Sequence, residues 1–318
     1  MAIQLAGVPV ISLQDYRSGD EARRGRFIQG LGQGLREYGF ITLEHHQVDH
    51  DLIRKAYALF REFFALPSDS KLRYAKVEGG QRGYTAFGVE HAKDHPVGDL
   101  KEFWHVGREI PAGHAYAGHY PGNVWPAELP DLKPTMLELY RQLDACVEDL
   151  LQALALYFEL PLDTFSKMVV DGNSVVRAIH YPPLGPEADP RAVRAAAHED
   201  INMITLLCEA TSSGLELLTR QGDWLPVDAL EGQIVVDAGD MLQRVTNHVI
   251  PSTTHRVVNP PGDANEPRYS MPYFVHPFSA CNLEVLPRFV TPDQPARYEP
   301  ITADAFLTER LREIGLLK

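Results

Sequence analysis

The chain has 318 residues, 44% of them hydrophobic and 23% charged, the balance of an ordinary globular protein with enough length to bury a sizeable core. Its formal net charge of -13 repels phosphate backbones, so nucleic acid is not expected as a partner. Three cysteines, Cys146, Cys208 and Cys281, are too few and too scattered for a disulfide framework or a zinc finger and read as packing residues.

The first residues, Met1-Ala2-Ile3-Gln4, carry no basic stretch ahead of an apolar run. No apolar run approaches the ~20 residues that a membrane span requires, so a cytoplasmic protein without a membrane partner is expected. Val8 to Leu13 reads as a short strand. Phe27, Ile28, Leu31 and Leu35 mark one face of a helix that Gly39 stops. Phe40-Ile41-Thr42-Leu43 is a second strand, and Leu52, Ile53, Ala56, Leu59, Phe60 and Phe63 mark a second helix ending before Pro67. From Gly79 to Pro130 the sequence is loop-like, rich in glycine, proline and histidine, and such a stretch inside a compact domain is usually functional or disordered. His91, His95, His114 and His119 invite a second metal site there, but their spacings match no compact ligand pattern. A long core helix follows, with Leu132, Met136, Leu139, Leu143, Val147, Leu150, Leu154 and Phe158 at helical spacing, closed by Leu160-Pro161.

Strands dominate from Ser174 onward. Val175 to Tyr181 is one; if Tyr181 points inward, so do Ile179 and Arg177, and His180 points out. Ile201 to Cys208 reads as a buried strand, and Ile234-Val235-Val236 as another, closed by Gly239-Asp240. Ser213-Gly214 and Gln221-Gly222-Asp223 are turn signals. Short strands at this density argue for a sandwich or small barrel. Ala303 to Leu317 reads as a closing helix. No internal repeat, coiled-coil heptad or self-evident interface points to an oligomeric state.

Within that strand-rich half lies the only H-x-D of the chain, His198-Glu199-Asp200. On an extended strand, side chains two apart share a face roughly 7 Å apart, so both can lean onto one ion. His255, from a distant strand, would complete two histidines and one carboxylate on one face of a metal. That set leaves three coordination positions open, as in non-haem Fe(II) oxygenases. In Arg268-Tyr269-Ser270, Arg268 and Ser270 likewise share a face, and a guanidinium grips a carboxylate bidentately where lysine cannot. A zinc site that activates water for hydrolysis fits the triad as well, but leaves Arg268 and Ser270 without a shared anion.

With these motifs in this order, the chain resembles the isopenicillin N synthase-like branch of the Fe(II)- and 2-oxoglutarate-dependent dioxygenases over nearly its whole length. The resemblance implies a mixed α/β chain with a mainly β core, a double-stranded β-helix (jelly roll) flanked by helices. It also implies a division into an N-terminal region of helices, strands and substrate-side loops over 1–165, a catalytic core over 166–285 and a C-terminal helix over 286–318. It assigns Fe(II) to His198, Asp200 and His255. It assigns the far carboxylate of 2-oxoglutarate to Arg268, Ser270 and Tyr181, the other end chelating the iron and O2 serving as oxidant. A small-molecule substrate is then hydroxylated, desaturated or cyclised as 2-oxoglutarate becomes succinate and CO2. Arg82-Gly83-Tyr84 and the run from Asp99 to His105 resemble segments beside the family's substrate pocket, so Tyr84, Trp104, His105 and Phe274 are expected in the pocket wall. Arg177 is expected to face the interior near the iron, either binding a substrate carboxylate or forming an internal ion pair. Ile179 stands where many plant relatives have asparagine and His248 where glycine is usual, departures that bear on substrate class. Isopenicillin N synthase and aminocyclopropane-carboxylate oxidase share the triad and the R-x-S yet do not use 2-oxoglutarate as cosubstrate, so an oxidase of that kind, or an ethylene-forming one, stays open. A non-catalytic binding protein on the same fold is the remaining reading, against which the intact triad argues.

Overall fold

The long helices form where the apolar spacing predicts them, while four short ones among the described residues were not expected, and the ends of the long ones are set by specific residues. In the computed structural model, which describes residues 7–75, 81–90, 99–183, 193–227, 231–259 and 265–313, strand β1 (Val10–Ser12) leads into the short helix α1 (Leu13–Arg17) and then α2 (Glu21–Tyr38). The Asp20 carboxylate caps α2, accepting the amide N–H groups of Ala22 at 2.8 Å and Arg23 at 3.0 Å. Gly39 ends α2 with φ 69°, the left-handed conformation that a helix stop needs, and a Cβ there would lie 2.2 Å from the Thr253 hydroxyl. Strand β2 (Phe40–Glu44) follows, then α3 (His50–Phe64), capped by the Asp49 carboxylate, and the short α4 (Ser68–Leu72).

The stretch expected to be loop contains two strands, β3 (Gly83–Thr85) and β4 (Glu102–Gly107). All six residues of β4 are buried, because packed elements cover both its faces. Without an exposed face there is no apolar–polar alternation to read, and Glu102 and His105 disguise the burial. Next come the long helix α5 (Leu132–Tyr157) and the short α6 (Ser166–Val169).

The strands that follow are β5 (Val175–Tyr181), β6 (Ala195–His198), β7 (Ile204–Cys208), β8 (Leu215–Leu218), β9 (Trp224–Pro226), β10 (Ile234–Ala238), β11 (His255–Val257) and β12 (Arg268–Val275), with α7 (Asp240–Val245) after β10. Residues 201–203, expected to start a strand, lie instead in the turn before β7. Helix α8 runs over Ala303–Glu313; the rest of the expected closing helix lies outside the described residues.

Two sheets result, one in the order β1-β2-β10-β7-β12-β5-β4-β3 and one in the order β6-β11-β8-β9. From β5 to β12 the chain crosses repeatedly between them, the winding of a jelly roll, and among the described residues no strand pairing closes the two into a barrel. Strands from the N-terminal half flank the jelly roll in the large sheet: β2 pairs antiparallel with β10, and β4 with β5. Phe40, Phe103, Ile179, Tyr181 and Val235 of the large sheet meet Ala195, Leu215, Leu217 and Val257 of the small sheet in one apolar cluster. The opposite face of the large sheet packs on α2, α3 and α5 in a second, larger cluster that includes Trp104, Val176, Leu206 and Tyr273. Cys146, Cys208 and Cys281 are free and buried, as expected of packing residues. No described helix is long and apolar enough to cross a membrane.

Candidate metal and cosubstrate site

Strands β6 and β11 are antiparallel neighbours with His255 directly opposite His198, and the two imidazole centroids lie 4.5 Å apart. Strand β6 stops at His198, so Asp200 does not sit on an extended strand as the H-x-D spacing suggested. It lies in the turn crossing to β7 of the other sheet, and the turn brings the carboxylate back to the histidines. Asp200 Oδ1 is 3.9 Å from His198 Nε2 and 3.8 Å from His255 Nε2. The ligand atoms of the three residues lie within 4.8 Å of one another, and no other such group of His, Cys, Asp or Glu occurs among the described residues.

The surroundings select the ligand atoms. His198 Nδ1–H donates to the Ala196 carbonyl at 2.7 Å and His255 Nδ1–H to the Thr253 carbonyl at 3.2 Å, which leaves each Nε2 lone pair for a metal. Burial, helped by His198 alongside, lowers the His255 pKa to about 4 and keeps the ring neutral. Asp200 Oδ2 accepts the Thr205 hydroxyl. Asp237 is buried beside it, and burial together with the Asp200 charge pushes its carboxyl well above the usual range. The turn is tight: a Cβ on Gly239 would lie 2.3 Å from the Asn202 carbonyl oxygen and 2.8 Å from that of Asp200. Sequence reading missed Thr205 and Asp237; the signal for the latter was an acid interrupting the apolar run from Ile234 to Ala238. Two neutral imidazoles and a carboxylate on one side fit a divalent first-row metal.

Arg268, on β12, is 1% exposed. Its Nε donates to the Ser212 carbonyl at 3.1 Å, while Nη1 is buried with no hydrogen-bond partner. Tyr181 stands opposite Arg268 on β5, its ring centroid 5.2 Å from the guanidinium carbon, and Ser270 is buried two residues along on the same face. A cavity of about 260 Å³ borders Arg268, walled by Leu207, Leu215, Val227 and Val235 on one part and by Thr211, Ser212 and Ser213 on another. A buried cation with an unfilled donor, bordering a cavity lined by both aliphatic and hydroxyl side chains, fits the far carboxylate of 2-oxoglutarate.

On the same inner face, Arg177 forms the internal ion pair that was one of its two expected roles. Its Nη1 and Nη2 donate to the Glu90 carboxylate at 2.9 and 3.0 Å, and its Nε to His105 Nε2 at 2.6 Å. The guanidinium lies 4.1 Å from the Phe103 ring centroid and 5.1 Å from that of Phe274. Glu90 also pairs with Lys101 at 2.7 Å, Lys101 with Asp99 at 2.8 Å, and Asp99 Oδ1 accepts the Ala196 N–H at 3.2 Å, two residues before His198. Phe274 lies opposite Thr205, which holds Asp200.

Tyr84 and Trp104 are not in this wall. On β4, His105 opposes Arg177, so by strand parity Trp104 turns to the other face, where it is fully buried with its ring 4.6 Å from Phe63. Tyr84, opposite Trp104, shares that face, and its hydroxyl donates to Glu102 at 2.5 Å. His248 is also away from the site. It follows Asn247 in a turn after α7, with φ 65°, where glycine would be unstrained, and its ring stacks on Tyr298 with centroids 5.5 Å apart. His91 and His95 lie outside the described residues, while His114 Nε2 is 3.3 Å from the Asp171 carboxylate and His119 packs on Tyr116.

Residues 8–128 match the family described as the non-haem dioxygenase in morphine synthesis N-terminal region, and residues 172–277 match the 2OG-Fe(II) oxygenase superfamily. A 2-oxoglutarate-dependent dioxygenase of Aspergillus flavus is 30% identical, the match covering 98% of this chain and 95% of that one. Among solved structures, a putative 2OG-Fe(II) oxygenase family protein from Caulobacter crescentus superposes with a TM-score of 0.87 at 47% identity, covering 97% of this chain and 99% of the other. A Neurospora crassa protein crystallised with alpha-KG superposes with a TM-score of 0.85 at 31% identity, covering 98% of each. The hydrolase and binding-protein readings fall here, since relatives and neighbours alike are oxygenases. The chain belongs to the Fe(II)- and 2-oxoglutarate-dependent dioxygenases of the isopenicillin N synthase-like superfamily, and is a non-haem iron oxidoreductase that uses 2-oxoglutarate and O2.

Proposed function

We propose that His198, Asp200 and His255 hold the iron, that Arg268, Ser270 and Tyr181 hold the far carboxylate of 2-oxoglutarate, and that the substrate is a small, flat, polar molecule bound against Arg177, His105 and Phe274. The catalytic core over 166–285 then holds every metal and cosubstrate contact and shares the substrate side with the region 1–165, which brings His105 and Glu90 to it, and the region 286–318 lies outside the site. The observation that carries the reading is the three-ligand cluster together with a buried arginine that has an unfilled donor. When bound, the iron with 2-oxoglutarate and O2 supplies an oxidant strong enough to break a C–H bond, and hydroxylation is the outcome we favour.

The chain's own residues do the rest. The two Nδ1–H bonds to backbone carbonyls orient the imidazoles, and the Thr205 hydroxyl fixes one oxygen of Asp200. Phe103, Ile179 and Val235 keep water from the space between the sheets. The Arg177–Glu90 pair offers a substrate a flat cationic face beside an aromatic ring and a fixed carboxylate edge. The Neurospora crassa protein, 30–31% identical, has also been crystallised with thymine and with 5-formyluracil, and such small planar rings with hydrogen-bonding edges suit that wall.

The test is an anaerobic titration of the Fe(II)-loaded protein with 2-oxoglutarate, following the weak visible charge-transfer band of the chelate. Wild type should show the band, His255→Ala should lose it, and Arg268→Ala should need far more 2-oxoglutarate. A band of unchanged affinity in Arg268→Ala would overturn the assignment of Arg268, Ser270 and Tyr181 to the far carboxylate. Succinate release across a panel of nucleobases and other small heterocycles then tests the substrate class. Turnover of flexible aliphatic acids alone would refute a planar substrate.

A further inference from the structure

A second arginine stands at the cosubstrate end of the site. Arg194, immediately before β6, is 2% exposed, nearly as buried as Arg268. Its backbone N–H donates to Asn259 Oδ1 at 3.0 Å and its Nη2 to the Glu266 carbonyl, two residues before Arg268, while its Nε is buried with no partner. Two half-buried arginines elsewhere have acids: Arg177 has Glu90 and Arg108 has Asp144. Arg82 lacks one, but it donates to Asn173 and to the Gln81 carbonyl. Among the described residues, Arg194 and Arg268 have only carbonyl oxygens as acceptors for their guanidinium groups and each retains a buried nitrogen with no acceptor, a pattern shared by Arg244 on α7, which is less buried and lies over the Tyr298 ring. Burial and the Arg268 charge both work against the Arg194 proton, so the two cations feel each other. Two guanidinium groups shielded from water, with no acid of the described residues paired to either, repel each other and leave strong donors empty. An anion bound between them removes both penalties.

We propose that Arg194 is a second positioning residue for the far carboxylate of 2-oxoglutarate, so that the site is a two-arginine anion trap selecting oxo acids with a distal carboxylate. This rests on the cosubstrate assignment above and adds a residue to it. Ser270 and Tyr181 lie beside Arg268 and complete the polar end, while Leu207, Leu215, Val227 and Val235 of the cavity wall suit the methylene carbons.

The experiment compares wild type with Arg194→Gln and Arg194→Lys, each Fe(II)-loaded and anaerobic, titrated with 2-oxoglutarate and with 2-oxobutyrate, which has the same oxo-acid head but no far carboxylate. The readouts are the charge-transfer band and the ligand-induced rise in Tm. Losing one charge-assisted hydrogen bond should weaken 2-oxoglutarate binding roughly ten- to hundredfold in Arg194→Gln, with 2-oxobutyrate nearly unchanged. Arg194→Lys should fall between and keeps the test open if the glutamine variant fails to fold. The ligand-free glutamine variant should melt no lower than wild type, because it loses an uncompensated charge. Equal weakening of both ligands would mean a purely structural role and overturn the proposal. Unchanged 2-oxoglutarate binding would overturn it too, whereas a band of unchanged affinity in Arg268→Ala would overturn the cosubstrate assignment itself.

Discussion

Strand β4 shows how differently the two faces of the large sheet are built. Outward, Trp104 and Val106 are fully buried against the helical layer, with Trp104 packed on Phe63. Inward, Phe103 and His105 meet Arg177, and behind it the chain of charges through Glu90, Lys101 and Asp99. The outward residues are held by apolar area, which tolerates no void but makes few directional demands. The inward residues are held by paired charges, which are costly to bury and persist only where partners are in place. Stability and chemistry are thus divided between alternate residues of one strand.

That division can be tested from each side. Trp104→Ala should cost about 3–5 kcal/mol by denaturant midpoint, the range for emptying a large aromatic site, while leaving the affinity of the folded protein for 2-oxoglutarate unchanged. A matching loss of affinity would show that the faces are not separable. Glu90→Gln leaves Arg177 as a buried cation without its acid and should cost about 3 kcal/mol, and unlike the tryptophan change it should raise the substrate KM. Pairing it with Arg177→Met should restore much of the stability but not the KM.

Acid titration gives a third effect, smaller at each pH unit though spread over a wide window. Burial, reinforced by His50, lowers the His46 pKa to about 4, and its Nδ1 accepts the Val48 N–H at 3.1 Å, a bond that protonation breaks. The unfolded chain takes up that proton near pH 6.5, the folded one only near 4, so stability falls as pH drops between those values. The slope should be about 1.4 kcal/mol per pH unit for this one group, and His46→Gln should remove that component from chemical unfolding curves measured across the window. The smallest change is Asp20→Ala, which strips the α2 cap and should cost about 1 kcal/mol, read as a lower Tm with no change at the inner face.

Much of this was legible because it is local. Gly39 stops α2, and the apolar spacing of Phe27, Leu31 and Leu35 sets its buried face. The triad was legible because the metal demands its residue types, although the path by which Asp200 reaches the histidines, a turn between sheets, leaves no trace in a two-residue spacing. What was missed depends on register. Parity along β5 correctly put Arg177, Ile179 and Tyr181 on one side, but which residue of β4 opposes Arg177 is decided by pairing between distant segments. The expected wall named both Trp104 and His105, neighbours that strand parity sends to opposite faces, so pairing could admit only one of them. The Arg177–Glu90 pair and the company of Arg194 and Arg268 are likewise products of tertiary structure.

The pairing of β2 with β10 bears on how the protein comes into being. Phe40 lies across from Asp237, so a strand made early in synthesis waits for a partner made late. Strand β4 waits in the same way for β5. Until then Phe40, Ile41 and Leu43, all buried in the finished protein, are exposed on a ribosome-bound chain. Contacts this distant in sequence make folding slow and leave unpaired strand edges available to other chains. Release of the complete polypeptide, and protection of its first half by chaperones until then, should therefore limit the yield of active protein in a cell more than the stability of the finished fold does.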